Sequence, residues 1–188
     1  MSDSLRGKYL IAARHLRDAN FYKAVVLMIE HGPDGAMGLV VNRPSSITVA
    51  HALSEHFHLP ETDDLVYIGG PVEPSSLFVL HNASELDQNE RAIGPGLFVG
   101  GSEDVFEKVV RSATGGNPDL QFRIFSGCAG WGAEQLEGEL SRGDWHVVSA
   151  ESTPLFCADP YEFWECLLGK IQELQCIFPR CLNDPEQN

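Results

Sequence analysis

The sequence has few basic residues and no long apolar segment. Its 188 residues include 13 Lys and Arg against 27 Asp and Glu, which leaves a formal net charge of −14. Non-specific binding to DNA depends on basic side chains that neutralise phosphates, so we expect no direct binding to duplex DNA. A membrane-spanning helix needs about 18 or more consecutive apolar residues, and no such run is present. We therefore expect no membrane partner.

Paired cysteine motifs are also missing. The five cysteines are odd in number and none has CxxC spacing, which is typical of reduced thiols and not of a disulfide framework or a zinc site. His51 and Glu55 have the helical spacing of metal ligands, but one imidazole and one carboxylate do not complete a site. The first residues lack the apolar core of a signal peptide. These features predict a cytoplasmic protein, and no metal or cofactor is assigned.

Alternating apolar residues and turn residues predict a sheet flanked by helices. Strands are predicted at 21–30 and 37–42 as one hairpin, at 64–68 and 77–81 as a second hairpin, within 93–99 as an edge strand, and at 120–125 and 145–149. Amphipathic helices are predicted near 48–57, 103–112, 133–141 and 160–175. This mixture indicates a single α+β domain over residues 1–178 with a mixed, largely antiparallel sheet. We expect the aperiodic tail, 179–188, to be mobile.

Residues 126–140 read SGCAGWGAEQLEGEL, and the first seven of them combine three glycines, Gly127, Gly130 and Gly132, with Cys128 and Trp131. A strand-like run before them and helical spacing after them predict a strand-to-helix turn. The glycines serve either to turn the chain while Trp131 fills the core, or to bring the loop against a ligand. Cys128 stands where an elbow would place a nucleophile, but no histidine is spaced to act as its base. We therefore assign no catalytic residue.

Two further features leave alternatives open. Arg43, in Asn42-Arg43-Pro44, is placed either to bind a carboxylate or phosphate or to form a structural ion pair. Five of the thirteen basic residues lie within the first 23 positions, at Arg6, Lys8, Arg14, Arg17 and Lys23. They form either a solvated face or a patch that faces an anion.

A series of short motifs runs in order along the chain: GKYLIA at 7–12, EH at 30–31, GAMGLVVNRP at 35–44, GGPV at 69–72, LFVLH at 77–81, AGWG at 129–132, QLE at 135–137, EL at 139–140 and Trp145. By these motifs the chain resembles, from Gly7 to Leu168, the YqgE/AlgH family, small bacterial proteins without an established biochemical activity that are often described as transcriptional regulators. This resemblance implies a compact α+β domain with a bulged mixed sheet. The family usually has tyrosine at the position of Cys128, which argues against a shared role for thiolate chemistry. This chain also has Ala133-Glu134 in place of a proline-glycine pair, and Ala13-Arg14-His15 where the family has a proline.

The candidate binding residues come from these glycine-rich loops: Asn42, Arg43, Gly69, Gly70, Gly130, Trp131, Gly132 and Gln135. Our first hypothesis is a small cytoplasmic binding or regulatory protein whose unknown small-molecule or protein partner contacts these loops. The alternatives are an enzyme that uses polar groups of the same loops and a regulator that binds DNA directly. The net charge disfavours direct DNA binding, and the sequence does not predict an oligomeric state.

Overall fold

The computed structural model describes residues 4–55, 63–86, 92–100, 102–117, 119–150 and 155–177. These residues form nine strands and four α-helices: β1 (Lys8–Ala12), β2 (Val25–Gly32), β3 (Gly35–Val40), β4 (Pro44–Thr48), α1 (Val49–Ala52), β5 (Leu65–Ile68), β6 (Val72–His81), β7 (Phe98–Gly100), α2 (Glu103–Thr114), β8 (Phe122–Gly132), α3 (Gln135–Ser141), β9 (Trp145–Ser149) and α4 (Phe163–Ile177). The predicted α+β fold is confirmed. No helix in these ranges is long and apolar enough to cross a membrane.

The strands belong to one mixed sheet. Its main path runs β4, β5, β8, β3, β2, β1, β9, and β6 pairs with both β8 and β7. The β5–β8 pair is parallel and the other described pairs are antiparallel. The register shifts between Met28 and Glu30, so the sheet is bulged as the family resemblance implied. The short strand within 93–99 is an edge strand, as predicted, because β7 pairs only with β6 among the described strands.

Side chains cover both faces of this sheet. Ile124 and Phe125 are neighbours in β8, and they belong to two different clusters of buried residues. Because successive side chains of a strand point to opposite faces, the two clusters lie on opposite sides of the same strand. Val109 of α2 packs in one cluster, and Leu136 of α3 and Leu167 of α4 pack in the other. One sheet therefore carries both clusters, and the described residues form a single domain.

The second predicted hairpin is wrong, since β5 and β6 do not pair with each other. Ser126 of β8 pairs with Ile68 of β5 and with Leu77 of β6, so the two strands lie on opposite edges of β8. The short connection between them crosses the backbone of β8. A Cβ atom on Gly70 would lie 2.3 Å from the Cys128 carbonyl carbon, and one on Gly69 would lie 2.2 Å from the Gly127 oxygen. Two glycines permit this crossing because they have no side chains.

The predicted strand-to-helix turn at 126–132 is also wrong. Strand β8 continues through these residues to Gly132, and its last part pairs with β3, from Ala129 opposite Gly38 to Gly132 opposite Gly35. The turn into α3 follows at residues 133–134, where Glu134 has a φ of 61°. All three glycines lie within β8 and do not turn the chain into a helix, and Gly127 stands where a Cβ atom would lie 2.7 Å from the Gly70 oxygen.

Three of the four predicted helices are confirmed, with ends shifted by a few residues. The prediction at 48–57 is confirmed only for Val49–Ala52, where Thr48 accepts a hydrogen bond from the His51 N–H at 3.3 Å; residues 56 and 57 lie outside the described ranges. The tail at 179–188 also lies outside them, so its mobility stays a prediction. Strands β1 and β4 were not predicted. The pattern of β1 does not indicate a strand, because its residues from Tyr9 to Ala12 are all buried and do not alternate with polar ones.

Candidate functional site

The structure places Trp131 in the core. Its indole is 5% exposed and stacks on Phe21 with ring centroids 5.8 Å apart. The Trp131 Nε1–H donates to Glu139 Oε2 at 2.9 Å, and the Trp145 Nε1–H donates to the same oxygen at 2.8 Å. Gln135 Nε2 donates to the other carboxylate oxygen at 3.0 Å. The Glu139 carboxylate therefore links α3 to β8 and β9 through these hydrogen bonds. Of the two alternatives that the sequence left open, Trp131 fills the core.

The other candidate residues of this segment bond locally. The Gly132 N–H donates to Gln135 Oε1 at 3.1 Å, and Gly130 is an exposed residue within β8. Gly69 and Gly70 are buried where the chain crosses β8. Gly69 and Gly70 therefore lie against the backbone of β8, and neither of the two cavities described below is lined by these glycines or by Trp131.

Asn42 and Arg43 lie beside the start of β2. Asn42 Oδ1 accepts from the Val25 N–H at 2.8 Å, and Asn42 Nδ2 donates to the Lys23 oxygen at 2.9 Å. Arg43 Nη2 donates to the backbone oxygen of Tyr22 at 3.0 Å. Burial lowers the pKa of Arg43, and the carboxylate of Asp18 opposes this shift. Asn42 thus bonds to the backbone at the start of β2, whereas the Arg43 guanidinium lies near the surface.

Cys128 does not have the surroundings of a nucleophile. Its side chain is 5% exposed in the middle of β8. Burial raises the pKa of this thiol, and the negative charge of Glu73 raises it further. Thiolate nucleophiles need the opposite shift. Within the described ranges, no group of three or more His, Cys, Asp or Glu side chains is arranged to hold a metal ion.

A cleft lies elsewhere, beside the first residues of β8. It has a volume of about 490 Å³, and its walls include Arg123 of β8, Tyr67 of β5, and Phe156 and Tyr161 from the segment before α4. This volume lies within the range of about 300–1,000 Å³ that is usual for small-molecule sites. This cleft was not predicted from the sequence, because its walls come from four separate parts of the chain.

Arg123 provides the positive charge of the cleft wall. Its guanidinium carbon lies 4.7 Å from the centroid of the Tyr67 ring. Arg123 Nη1 donates to the Val41 oxygen at 3.3 Å, and Nη2 donates to the Phe156 oxygen at 3.5 Å. Stacking and backbone bonds hold the guanidinium plane in one orientation. The exposed residues Asp63 and Asp64 line another part of the cleft, so the cleft presents charges of both signs.

A second, smaller cavity shares wall residues with this cleft. It has a volume of about 220 Å³ and is lined by Tyr9 of β1, Asn82, residues 94–97 and Leu155. Gln121 and Phe156 line both spaces. We refer to the two spaces together as the joined cavity. The cleft beside Arg123 and the cavity beside Tyr9 therefore meet at these two shared residues.

Tyr9 is the unusual residue of the joined cavity. The side chain is fully buried and packs edge-on against Phe163, with ring centroids 5.6 Å apart. Its hydroxyl oxygen has no hydrogen-bond partner among the described residues. Burial raises the pKa of Tyr9 despite the opposing effect of the Arg123 charge, so the phenol stays protonated at neutral pH. A buried hydroxyl without a partner costs about 1–3 kcal/mol, and a ligand that accepts its hydrogen bond would remove this cost.

The chain matches the AlgH-like family model over residues 9–174 and belongs to that family. It is 37% identical to a UPF0301 protein of Myxococcus xanthus over 162 residues, which cover 85% of this chain and 86% of the relative. A UPF0301 protein of Chlorobaculum tepidum is 36% identical, with 83% and 80% covered. The solution structure of AlgH from Pseudomonas aeruginosa is similar with a TM-score of 0.73 and 32% identity, over 98% of this chain and 99% of that one. A crystal structure of a Corynebacterium diphtheriae protein, at 22% identity and a TM-score of 0.66, shares the fold over 90% and 88% of the two chains.

Proposed function

We propose that this AlgH-like protein is a small cytoplasmic binding protein whose ligand, a small organic molecule, occupies the joined cavity. The observation that carries the proposal is the Tyr9 hydroxyl, a buried donor without a partner among the described residues that belongs to a residue lining a cavity. Folded proteins pair nearly all of their buried polar groups. A ligand that places an acceptor oxygen beside Tyr9 accounts for this exception.

The walls of the cleft suggest the rest of the ligand. Tyr67, Phe156 and Tyr161 offer aromatic surface, which favours a planar or apolar body. Arg123 adds a positive charge on one wall, and a carboxylate or phosphate oxygen would bind there. The ligand class is therefore a small molecule with a planar body, an acceptor oxygen for Tyr9 and an anionic group for Arg123.

The cytoplasmic assignment is supported by the thiols. Cys128 and Cys166 are free cysteines in the described part of the chain, and proteins of oxidising compartments usually pair their cysteines. A role in binding without a catalysed reaction is supported by the protonation of Tyr9. Because its pKa is raised, Tyr9 stays a neutral phenol at neutral pH and cannot accept a proton as a general base. Gly69 and Gly70 then serve to let the chain cross β8 between β5 and β6.

A thermal-shift screen of metabolites and nucleotides tests this proposal. A ligand at about 100 times its Kd stabilises the folded state by about 2.7 kcal/mol, which raises the Tm of a domain of this size by roughly 5–10 °C. Gln121→Trp places an indole between the two spaces and should abolish the shift. Gln172→Trp, at an exposed position on α4, is the matched control and should keep it. A shift that survives Gln121→Trp, or a screen without any selective stabiliser, would contradict the proposal.

A further inference from the structure

Basic side chains gather around two aromatic rings on a surface separate from the walls of the joined cavity. We call it the basic–aromatic surface, and its members are Arg14, Arg17, Tyr22, Lys23, Arg43 and Trp164. The sequence left open whether the N-terminal basic residues form a solvated face or a patch that faces an anion. The fold adds Arg43 from the loop before β4 and Trp164 from α4, and neither is near this segment in sequence.

The contacts show that the cations are neighbours. The Arg14 guanidinium carbon lies 5.6 Å from the ring centroid of Trp164, and Lys23 Nζ lies 5.0 Å from the same ring. The Arg17 guanidinium carbon lies 5.8 Å from the Tyr22 ring centroid, and Arg43 donates to the Tyr22 backbone oxygen at 3.0 Å. Since Tyr22 and Lys23 are consecutive, the four cations form one continuous group around the two rings.

Carboxylates compensate this group only in part. Glu165 Oε1 lies 3.0 Å from Lys23 Nζ, and the negative charge of the Asp18 carboxylate favours the charged form of Arg43. Within the described part of the chain, these contacts set four cations against two carboxylates, whereas the whole chain carries a formal charge of −14. The basic–aromatic surface therefore has the opposite sign to the protein as a whole, and it attracts an acidic partner that the rest of the surface repels.

The exposed groups indicate the kind of partner. Arg14 and Arg17 are exposed, and Tyr22 is 45% exposed. Arginine and tyrosine together are typical of residues that dominate protein–protein binding. We propose that the basic–aromatic surface docks a short acidic protein segment, whose carboxylates pair with the arginines and whose aromatic or apolar side chain packs on Tyr22. This docking does not depend on the ligand of the joined cavity.

A protein segment fits these residues better than a nucleic acid does. Proteins whose binding to DNA depends steeply on salt make about 6–10 phosphate contacts, and this surface offers four cations with two carboxylates among them. A long duplex would also extend over the acidic remainder of the chain. A segment of a few residues stays within the surface, where complementary charge raises the association rate and sets the orientation.

Fluorescence anisotropy with a labelled peptide tests the proposal. The probe is a peptide of about ten residues, mostly Asp and Glu with two tyrosines, titrated with the full chain at about 50 mM and about 200 mM NaCl. We expect saturable binding that weakens with salt. Changing both Arg14 and Arg17 to Ala should weaken binding by roughly three- to tenfold, and Tyr22→Ser should weaken it while the salt dependence remains.

Arg111→Ala is the matched control, because Arg111 is an exposed arginine on α2 whose Nε donates to Glu107 and which does not belong to the basic–aromatic surface. It should bind the peptide like the wild type, and thermal melts should show that all variants remain folded, since the substituted side chains are exposed. The proposal is overturned if the wild type does not bind the peptide. It is also overturned if Arg111→Ala loses as much affinity as the double variant, or if duplex DNA of equal charge binds more tightly than the peptide.

Discussion

Replacing Tyr9 with Phe removes one oxygen atom and retains the ring that packs against Phe163. A buried tyrosine hydroxyl that is hydrogen-bonded stabilises a protein by about 0.5–1.5 kcal/mol, so its loss normally lowers stability. Tyr9 has no such partner among the described residues. We therefore expect Tyr9→Phe to leave the unfolding free energy of the ligand-free protein unchanged or to raise it by about 1 kcal/mol. A gain of this size raises the Tm by about 2–4 °C.

Urea denaturation and scanning calorimetry of the ligand-free protein measure this change. Tyr22→Phe, at an exposed tyrosine, is the control and should have little effect, whereas Tyr9→Ala should cost about 3–5 kcal/mol because it also removes the buried ring. A loss of about 1 kcal/mol or more in Tyr9→Phe would contradict this expectation. Such a loss would mean that the hydroxyl is already hydrogen-bonded in the absence of a ligand.

The raised pKa of Tyr9 extends this prediction to alkaline pH. In the unfolded chain Tyr9 ionises near pH 10, while in the folded protein burial keeps it protonated to higher pH. The folded state then binds more protons, so the unfolding free energy falls as the pH rises above about 10. Tyr9→Phe lacks this group, and we expect its stability to fall less steeply in urea titrations over that range.

Further predictions concern the core, the strand crossing, the thiols and nucleic acid. Trp131→Ala should cost about 3–5 kcal/mol in urea denaturation, and a cost below about 1 kcal/mol would contradict its place in the core. Gly70→Ala should destabilise more than Gly169→Ala does, because a Cβ on Gly70 would overlap the β8 backbone whereas the space around Gly169 is open; equal melting temperatures would refute the crossing. Iodoacetamide should label Cys166 before Cys128 in timed mass spectrometry, since Cys128 is buried, and the reverse order would refute this assignment. Gel-shift assays at about 150 mM salt should detect no binding to duplex DNA, and micromolar binding would contradict this expectation.

The elements that the sequence predicted correctly are those whose pattern is local. Helix α2 shows a clear amphipathic period and begins after Ser102, whose side chain accepts from the Val105 N–H. The hairpin of β2 and β3 is also local, because β2 ends at Gly32 and β3 begins at Gly35, so the turn is adjacent to both strands in sequence. Local patterns of this kind need no knowledge of distant contacts.

The second hairpin and the strand-to-helix turn were wrongly predicted because the role of their glycines depends on contacts with residues far away in the sequence. Gly127 looked like a turn residue, and it has a φ of +70°, but its space is taken by Gly70 and Val72 from another part of the chain. Gly69 and Gly70 looked like a hairpin turn because the sequence does not show that β8 passes between β5 and β6. Glycine has the same local signature in a tight turn and in a close crossing of strands.

The joined cavity was not predictable from the sequence for a related reason. Tyr9 lies in an apolar run, so its burial could be expected, but the lack of a hydrogen-bond partner depends on the residues that surround it in space. Arg123 alternates with apolar residues in β8 as a solvent-facing residue would. The predicted residue Arg43 lies instead on the basic–aromatic surface, next in sequence to Pro44, which lines the cleft.

In the proposed complex, Tyr9 donates a hydrogen bond to the ligand in the joined cavity. Isothermal titration calorimetry measures this contribution, with the strongest stabilising compound from the screen and with wild-type and Tyr9→Phe proteins of equal folded fraction. We expect Tyr9→Phe to bind this compound roughly three- to tenfold more weakly, because one hydrogen bond of about 0.5–1.5 kcal/mol is lost. Equal affinity of the two proteins for the compound would mean that the Tyr9 hydroxyl does not bind the ligand.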